Sequence, residues 1–411
     1  MTPHLLVARR LRCDTCGHIE LNPISALCPN CGGILLSEYD SAMFPPAKVK
    51  SMWDYRAHLP VDNAANIVSL GEGGTPLLEA RSFGEQHVFI KNETRNPTGS
   101  QKDRGVSVAL SKAKELGVSR VITASTGSSG FACATYSARA GIPCVILVPA
   151  DTPSARTAPM AAHGAIVVQI QGPFTRTADI FEAVRADPSW YIAATNRQMN
   201  PYQGDGTRTM AFEIFGELQA VPDWIIVPVG SGGTLSSLWR GFNELKRNGV
   251  IASIPKMVAV QPSGYNSVEQ ALARGIFDRD GVSKLAAEGS GETAMLNLRT
   301  GRRSDLADAV SAVEGSGGLA LSVSDAEASE WQFKIAAQEG VFVEPSGAAG
   351  FAGLAKLLRD QIIQRGELSV VIATGSGLRQ LSAIERPHRV SAPDPLTLAD
   401  LGAFTRQSLP A

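Results

Sequence analysis

One lysine, two glycine-rich loops and four cysteines could carry chemistry in this chain. Lys102 stands in Asn96-Pro-Thr-Gly-Ser-Gln-Lys102-Asp-Arg-Gly105, after a Pro/Gly loop and ahead of a helical pattern. A lysine at a helix start opposes the macrodipole, and the ordinary reading of such a residue is a solvated surface lysine. Gly230-Ser231-Gly232-Gly233-Thr234 follows a strand-like run ending at Val229 and precedes helical spacing over 235–247. Strand, glycine loop and helix aim backbone N–H groups and a helix N-terminus at a phosphate. Leu235 stands where a dinucleotide fingerprint needs a small residue, and no GxxxxGK[ST] occurs, so the loop fits neither usual nucleotide motif. A second loop, Ala124-Ser125-Thr126-Gly127-Ser128-Ser129-Gly130, also lies between a strand and a helix. It offers N–H groups and hydroxyls to an anion such as a substrate carboxylate, a role compatible with plain N-capping.

A lysine so placed, on a chain with a separate phosphate cradle, suggests a Schiff base to pyridoxal phosphate. Cys13-Asp-Thr-Cys16 and Cys28-Pro-Asn-Cys31 are two CxxC knuckles, each followed by glycine. Together they can offer four thiolates to one tetrahedral zinc, replacing the core that so small a module cannot build. A redox CxxC or a chance cluster is the plainer alternative, but two knuckles in one short segment favour structural zinc. Four cysteines leave no open ligand position for catalysis, and His18 is then a neighbour. Cys133 and Cys144 sit in apolar surroundings and read as small hydrophobes.

The chain of 411 residues has room for two or three domains of ~100–200 residues. Apolar residues at 44% and charged residues at 19% exclude wholesale disorder. A net charge of -1 gives no reason to expect a nucleic-acid or membrane-surface partner. The tryptophans are scattered, so no stacking platform for bases is implied. The N-terminal apolar run is too short for a signal peptide and no span approaches ~18 apolar residues, so the expected compartment is the cytoplasm. Short apolar strands are expected at 88–91, 121–124, 144–149, 166–170, 224–229, 257–260 and 369–373, with helices at 106–116, 131–140 and 235–247. Such strands separated by helices imply α/β architecture with parallel sheets covered on both faces. No internal repeat is visible, Arg302-Arg303 reads as a solvated turn, and the tail after Arg386 is Pro-rich and polar.

In the order in which these motifs occur, the chain resembles the tryptophan-synthase-type (fold type II) pyridoxal-phosphate enzymes and, among them, most resembles the threonine synthases. The matching stretches are the two knuckles, Met52-Trp-Asp-Tyr-Arg-Ala-His-Leu-Pro60, Leu70-Gly-Glu-Gly-Gly-Thr-Pro-Leu77, the segment from Lys91 to Arg104, Ala124-Ser-Thr-Gly127, Asn200-Pro-Tyr202, Val229-Gly-Ser-Gly-Gly233, Val343-Glu-Pro-Ser346 and Thr374-Gly-Ser-Gly-Leu378. The resemblance implies two parallel-sheet three-layer lobes behind the N-terminal ribbon. The expected division is a ribbon at 1–47, a larger cofactor-binding lobe at 48–105 and 205–385, a smaller lobe at 106–204, and a tail at 386–411. It implies Lys102 as the cofactor-binding and catalytic lysine, and Gly230, Ser231, Gly232, Gly233 and Thr234 as the phosphate cradle. Thr374 becomes the hydroxyl on the pyridine nitrogen, and Ser125, Thr126, Gly127 and Ser129 hold the substrate carboxylate. A homodimer is also implied.

The departures fall on the substrate side. Ser128 stands beside the cofactor's phenolic oxygen where asparagine is usual. Gln203 replaces the arginine of Asn-Pro-Tyr-Arg that faces the substrate's phosphate, and an amide is a weaker phosphate ligand than a guanidinium fork. Arg197, at a position that tends to be serine, or Arg208 could compensate. Ser231 and Thr234 replace two asparagines, and Gln101 a phenylalanine. The expected reaction converts O-phospho-L-homoserine and water to L-threonine and phosphate. The alternatives are a lyase or β-replacement enzyme acting on serine, threonine or diaminopropionate, and a non-catalytic cofactor-binding protein, against which the intact Lys102, cradle and Thr374 argue.

Overall fold

The structure, a computed structural model, describes residues 10–20, 27–39, 44, 49–171, 177–299 and 305–381. The first nine residues, Arg302-Arg303 and the tail after Arg386 lie outside the described residues. The chain opens with β1 (Arg10–Cys13), β2 (Ile19–Glu20) and β3 (Leu35–Glu38), an antiparallel sheet in the order β2-β1-β3. The two cysteine knuckles are its turns. Gly17 and Gly32 take φ 72° and 74°, which a side chain would resist.

Then follow β4 (Leu77–Glu79), β5 (Val88–Asn92), β6 (Arg120–Ala124), β7 (Cys144–Pro149), β8 (Ile166–Ile170), β9 (Trp190–Ile192), β10 (Trp224–Pro228), β11 (Lys256–Pro262), β12 (Leu319–Val323) and β13 (Ser369–Ala373). They form a six-stranded sheet, β12-β11-β10-β13-β5-β4, and a four-stranded sheet, β8-β7-β6-β9. All pairs are parallel except β4 with β5. The helices between them are α1 (Lys102–Glu115), α2 (Ser128–Ala140), α3 (Ser154–Ala162), α4 (Thr177–Arg185), α5 (Gln203–Leu218), α6 (Gly233–Arg247), α7 (Ser267–Arg274), α8 (Arg279–Glu288), α9 (Leu306–Gly315), α10 (Asp325–Glu339) and α11 (Pro345–Arg359). Every residue of β10 and β13 is buried, as continuous apolar strands in a doubly covered sheet require. One core packs on each face of the large sheet, around Phe242 and Val310 on one side and Phe351 and Ile335 on the other. β8, expected as a covered strand, is an edge, with Ile166 60% exposed.

Three helices begin earlier than their apolar periodicity foretells. α1 starts at Lys102, α2 at Ser128 and α6 at Gly233. Lys102, Ser128, Ser129 and Thr234, which open them, line a cavity and so carry no apolar stripe. α1 and α5 carry the chain from one sheet to the other and back, and the lobe limits expected at 105/106 and 204/205 fall in their first turns. The two helices abut through glycine. A Cβ on Gly206 would lie 2.1 Å from the Arg104 carbonyl oxygen, and one on Gly105 2.8 Å from that of Gln203.

Arg104, two residues beyond Lys102, fixes this junction. Its guanidinium is fully buried and donates to Glu93 Oε2 and Oε1, both at 2.7 Å, and to Glu213 Oε1 and Oε2 at 2.6 and 2.8 Å. Burial opposes the charge on Glu213, but Arg104 and Lys91 hold its carboxyl well below the usual range. The stabilisation is therefore present at neutral pH and lost only as pH falls below the unfolded carboxylate value. Arg104→Met leaves two buried carboxylates without their guanidinium and is expected to cost about 3–5 kcal/mol, read as a lower urea midpoint of the cofactor-free chain.

Candidate active site

A cavity of about 380 Å³ opens at the C-terminal ends of β6, β7, β10 and β13, where parallel sheets ordinarily bind ligands. The first turns of α1, α2, α6 and α11 meet there. No side chain caps α2 or α6, which leaves their first N–H groups for a ligand, whereas in α1 the Lys102 N–H donates to Ser100 Oγ at 3.3 Å and α11 opens with Pro345, which has no N–H. Lys102, Ser125, Thr126, Gly127, Ser128, Ser129, Gly230, Ser231, Gly232, Thr234 and Thr374 all line the cavity. Gly233 and Gln203 lie instead on an adjoining cavity of about 20 Å³, room for about one water, which also touches Lys102, Thr234, Arg197 and Asp305.

The glycines of the cradle are dictated by close approach. Gly232 has φ 92°, and a Cβ there would lie 2.5 Å from the Asp305 carbonyl oxygen. A Cβ on Gly230 would lie 2.7 Å from the Asn297 oxygen. A backbone without side chains, ahead of an uncapped helix, fits a phosphate. Lys102 is partly buried, and desolvation lowers its ammonium below the usual lysine range, against the opposing pull of Asp305 and Glu344. Lys91 contrasts with it, being tied to Thr75 O, Glu217 and Glu213 at 2.6, 2.6 and 2.9 Å. A lysine inclined to be neutral, a phosphate cradle and the Thr374 hydroxyl on one cavity wall fit pyridoxal phosphate.

Four polar side chains on the walls of the two cavities carry no signal in the sequence. Glu344 lay in a quoted motif without a role. It is buried, accepts from Asn297 Nδ2 at 2.8 Å, and burial raises its carboxyl above the usual range. Asp305 is buried against the cradle and burial pushes it up to about 6, against the pull of Arg197. Asn297 and Arg299 complete the cavity wall. No glycine or apolar pattern marks these positions. Of the two arginines considered for the missing phosphate ligand, Arg208 donates to the His58 oxygen at 2.7 Å and pairs with Glu244 at 2.7 Å, away from either cavity. Arg197 reaches the small cavity but is paired with Asp308 at 3.1 Å.

In the N-terminal module the four cysteine sulfurs lie within 4.8 Å of one another. Cys13 and Cys31 are 3.5 Å apart, and Cys16 and Cys28 3.7 Å. Zinc–sulfur bonds of ~2.3 Å in a tetrahedron put sulfurs roughly 3.8 Å apart, so the set fits that ion. Burial opposes it, but the N–H groups of Cys16 and Thr15 bring the Cys13 thiol down to about 7. His18 bonds Asn30 through Nδ1 at 3.1 Å and is no part of the cluster. Cys133 and Cys144 are buried with their sulfurs 3.7 Å apart.

Comparison with known proteins agrees with this geometry. Residues 68–375 match the family described as pyridoxal-phosphate dependent enzyme. Threonine synthase of Methanocaldococcus jannaschii is 36% identical over 390 residues, 91% of this chain and 94% of that one. Threonine synthase of Mycobacterium tuberculosis is 35% identical over 345 residues, 82% and 91% of the two chains. Among solved structures, maize serine racemase superposes with a TM-score of 0.60 at 21% identity, covering 81% of this chain and 92% of that one. A fungal L-serine ammonia-lyase from Rhizomucor miehei gives 0.61 at 20% identity, covering 82% and 98%. These two share the fold.

The electrostatics of the lysine are directly testable. Glu344→Gln removes one of two carboxylates that favour the charged amine. The pH midpoint for labelling Lys102 with an amine reagent, followed by peptide mass spectrometry, is expected to move to lower pH.

Proposed function

The chain belongs to the pyridoxal-phosphate-dependent enzymes and, within them, to the threonine synthase family, and from that premise we propose that it converts O-phospho-L-homoserine and water to L-threonine and phosphate. The observation that carries the reading is the meeting of Lys102, the Gly230–Thr234 cradle, the Ser125–Ser129 turn and Thr374 in one cavity, on a chain similar to threonine synthases over nearly its whole length.

Bound pyridoxal phosphate supplies an electron sink beside the substrate's α-carbon. The N–H groups of the Gly230–Thr234 loop, together with the start of α6, hold its phosphate. The Ser125–Ser129 turn and the start of α2 hold the substrate carboxylate. The Thr374 hydroxyl offers the ring nitrogen a neutral partner, which favours elimination and replacement over transamination. Lys102, inclined to neutrality by burial, takes protons from Cα and Cβ and returns them at Cα and Cγ. The Cγ–O bond breaks with its electron pair going to phosphate; water places its hydroxyl on Cβ and its remaining proton goes to the released phosphate. A lobe structure like that expected from the sequence, a homodimer and a cytoplasmic setting belong to the same reading. No helix among the described residues is long and apolar enough to cross a membrane. In the N-terminal module, Cys13, Cys16, Cys28 and Cys31 hold a structural zinc.

A second reading is favoured by Gln203, which faces the small cavity with an amide where a phosphate substrate is better served by a guanidinium. This is elimination from another amino acid, such as serine, threonine or diaminopropionate, to a keto acid and ammonia. Assay of the cofactor-loaded enzyme with O-phospho-L-homoserine decides between them. Equal amounts of phosphate and threonine are expected, with activity lost by at least a thousand-fold, on the order of the contribution of a lone acid–base group, in Lys102→Ala. Absence of phosphate release, with keto acid and ammonia formed from another amino acid, contradicts the first reading. Elemental analysis is expected to find one zinc per chain, lost in Cys28→Ser.

A further inference from the structure

A line of alternating charges runs from the first cysteine knuckle to the phosphate cradle. Asp14, between Cys13 and Cys16, accepts through Oδ2 from Arg279 Nη2 at 2.8 Å. The same Arg279 nitrogen donates to Asp308 Oδ1 at 2.9 Å. Asp308 Oδ2 accepts from Arg197 Nη1 at 3.1 Å. Arg197 in turn donates from Nη1 to Ser236 Oγ at 3.0 Å and from Nη2 to Ser237 Oγ at 2.9 Å. Both serines are buried in the first turn of α6, immediately behind the cradle. The Arg197 backbone N–H donates to Asp305 Oδ1 at 3.0 Å, and its Nε is buried without a partner beside the small cavity.

The line runs from an exposed pair, Asp14 with Arg279, inward to a buried guanidinium. Arg197 is 2% exposed at its side chain, Asp14 and Asp308 22%, and Arg279 33%. One guanidinium, Arg279, holds two carboxylates from separate elements, the knuckle and α9. Without it Asp14 and Asp308 repel each other, and Asp308 and Asp305 compete for Arg197 alone. The guanidinium then has reason to leave the two serine hydroxyls that it braces at the start of α6. Asp14 cannot simply drift, because its Oδ1 accepts the Ile34 N–H at 2.9 Å and so belongs to the fold of the knuckle.

We propose that Arg279 is a positioning residue that couples the cysteine module to the cofactor-phosphate cradle through Asp308 and Arg197. The inference rests on the reading of the cradle as a pyridoxal-phosphate site, and it gives the N-terminal module a bearing on the active site beyond its own stability. The charge of Arg279 is what matters, since it touches neither cavity.

The test is the dissociation constant of pyridoxal 5'-phosphate, measured by visible absorbance on the full chain. Arg279→Gln is expected to weaken binding roughly three- to ten-fold, the scale of one partly exposed, bridging charge, and Arg279→Lys to recover most of the loss. Asp14→Asn is expected to weaken binding similarly, with the double variant Asp14→Asn/Arg279→Gln no worse than Arg279→Gln alone, because both cut the same line. The cofactor-free unfolding midpoint of Arg279→Gln is expected to fall by less than would account for the affinity loss. Parent-like affinity in Arg279→Gln, additive losses in the double variant, or no recovery with lysine overturns the coupling. So does a fall in the midpoint that accounts for the affinity loss. Failure of the parent chain itself to bind the cofactor overturns the functional reading instead, so the two failures are separable.

Discussion

The burial of Arg104 between Glu93 and Glu213 is the constraint on which the rest of the molecule turns. A guanidinium and two carboxylates removed from water are costly unless every donor finds an acceptor, and here Thr75 and Thr209 complete the set. The arrangement is possible only where the segment after β5, the first turn of α1 and the middle of α5 meet. It therefore fixes the junction of the two sheets and, two residues earlier in the chain, the position of Lys102. The glycines at 105 and 206 are part of the same constraint, because they let α1 and α5 approach backbone to backbone.

From that junction the electrostatics of the cavity follow. Two uncapped helix starts, those of α2 and α6, aim partial positive charge into one space, which suits a ligand with a phosphate and a carboxylate at separate points. They also disfavour an ammonium on Lys102, as desolvation does. Asp305 and Glu344 work against both effects, and their own carboxyls are raised by the same burial. The lysine is thus held between influences of opposite sign, which suits a group that must gain and lose protons in turn.

Much of this was legible in the sequence because it resides in local signals. Short apolar strands announced the parallel sheets, glycine after a strand announced the cradle, and two CxxC pairs announced the cysteine cluster. What was not legible depends on residues distant in the chain. The early starts of α1, α2 and α6 carry no periodicity, since Lys102, Ser128 and Thr234 at those starts line a cavity. Asn297 and Asp305 acquire meaning only where their carbonyl oxygens come against Gly230 and Gly232. β8 reads as a covered strand because its apolar residues look like those of β7, while its place at the sheet edge is a matter of topology. Gln203 and Arg197 were recognised as departures, but only the fold puts them on one small cavity apart from the main one.

Among the lysines of the described residues, Lys102 alone lines the cavity that would hold the cofactor. Borohydride reduction of the cofactor-loaded protein followed by peptide mapping measures this most directly. A phosphopyridoxyl group is expected on the peptide containing Lys102 alone. An adduct on Lys91, whose amine is tied to three oxygens, or on a surface lysine with Lys102 unmodified, contradicts it.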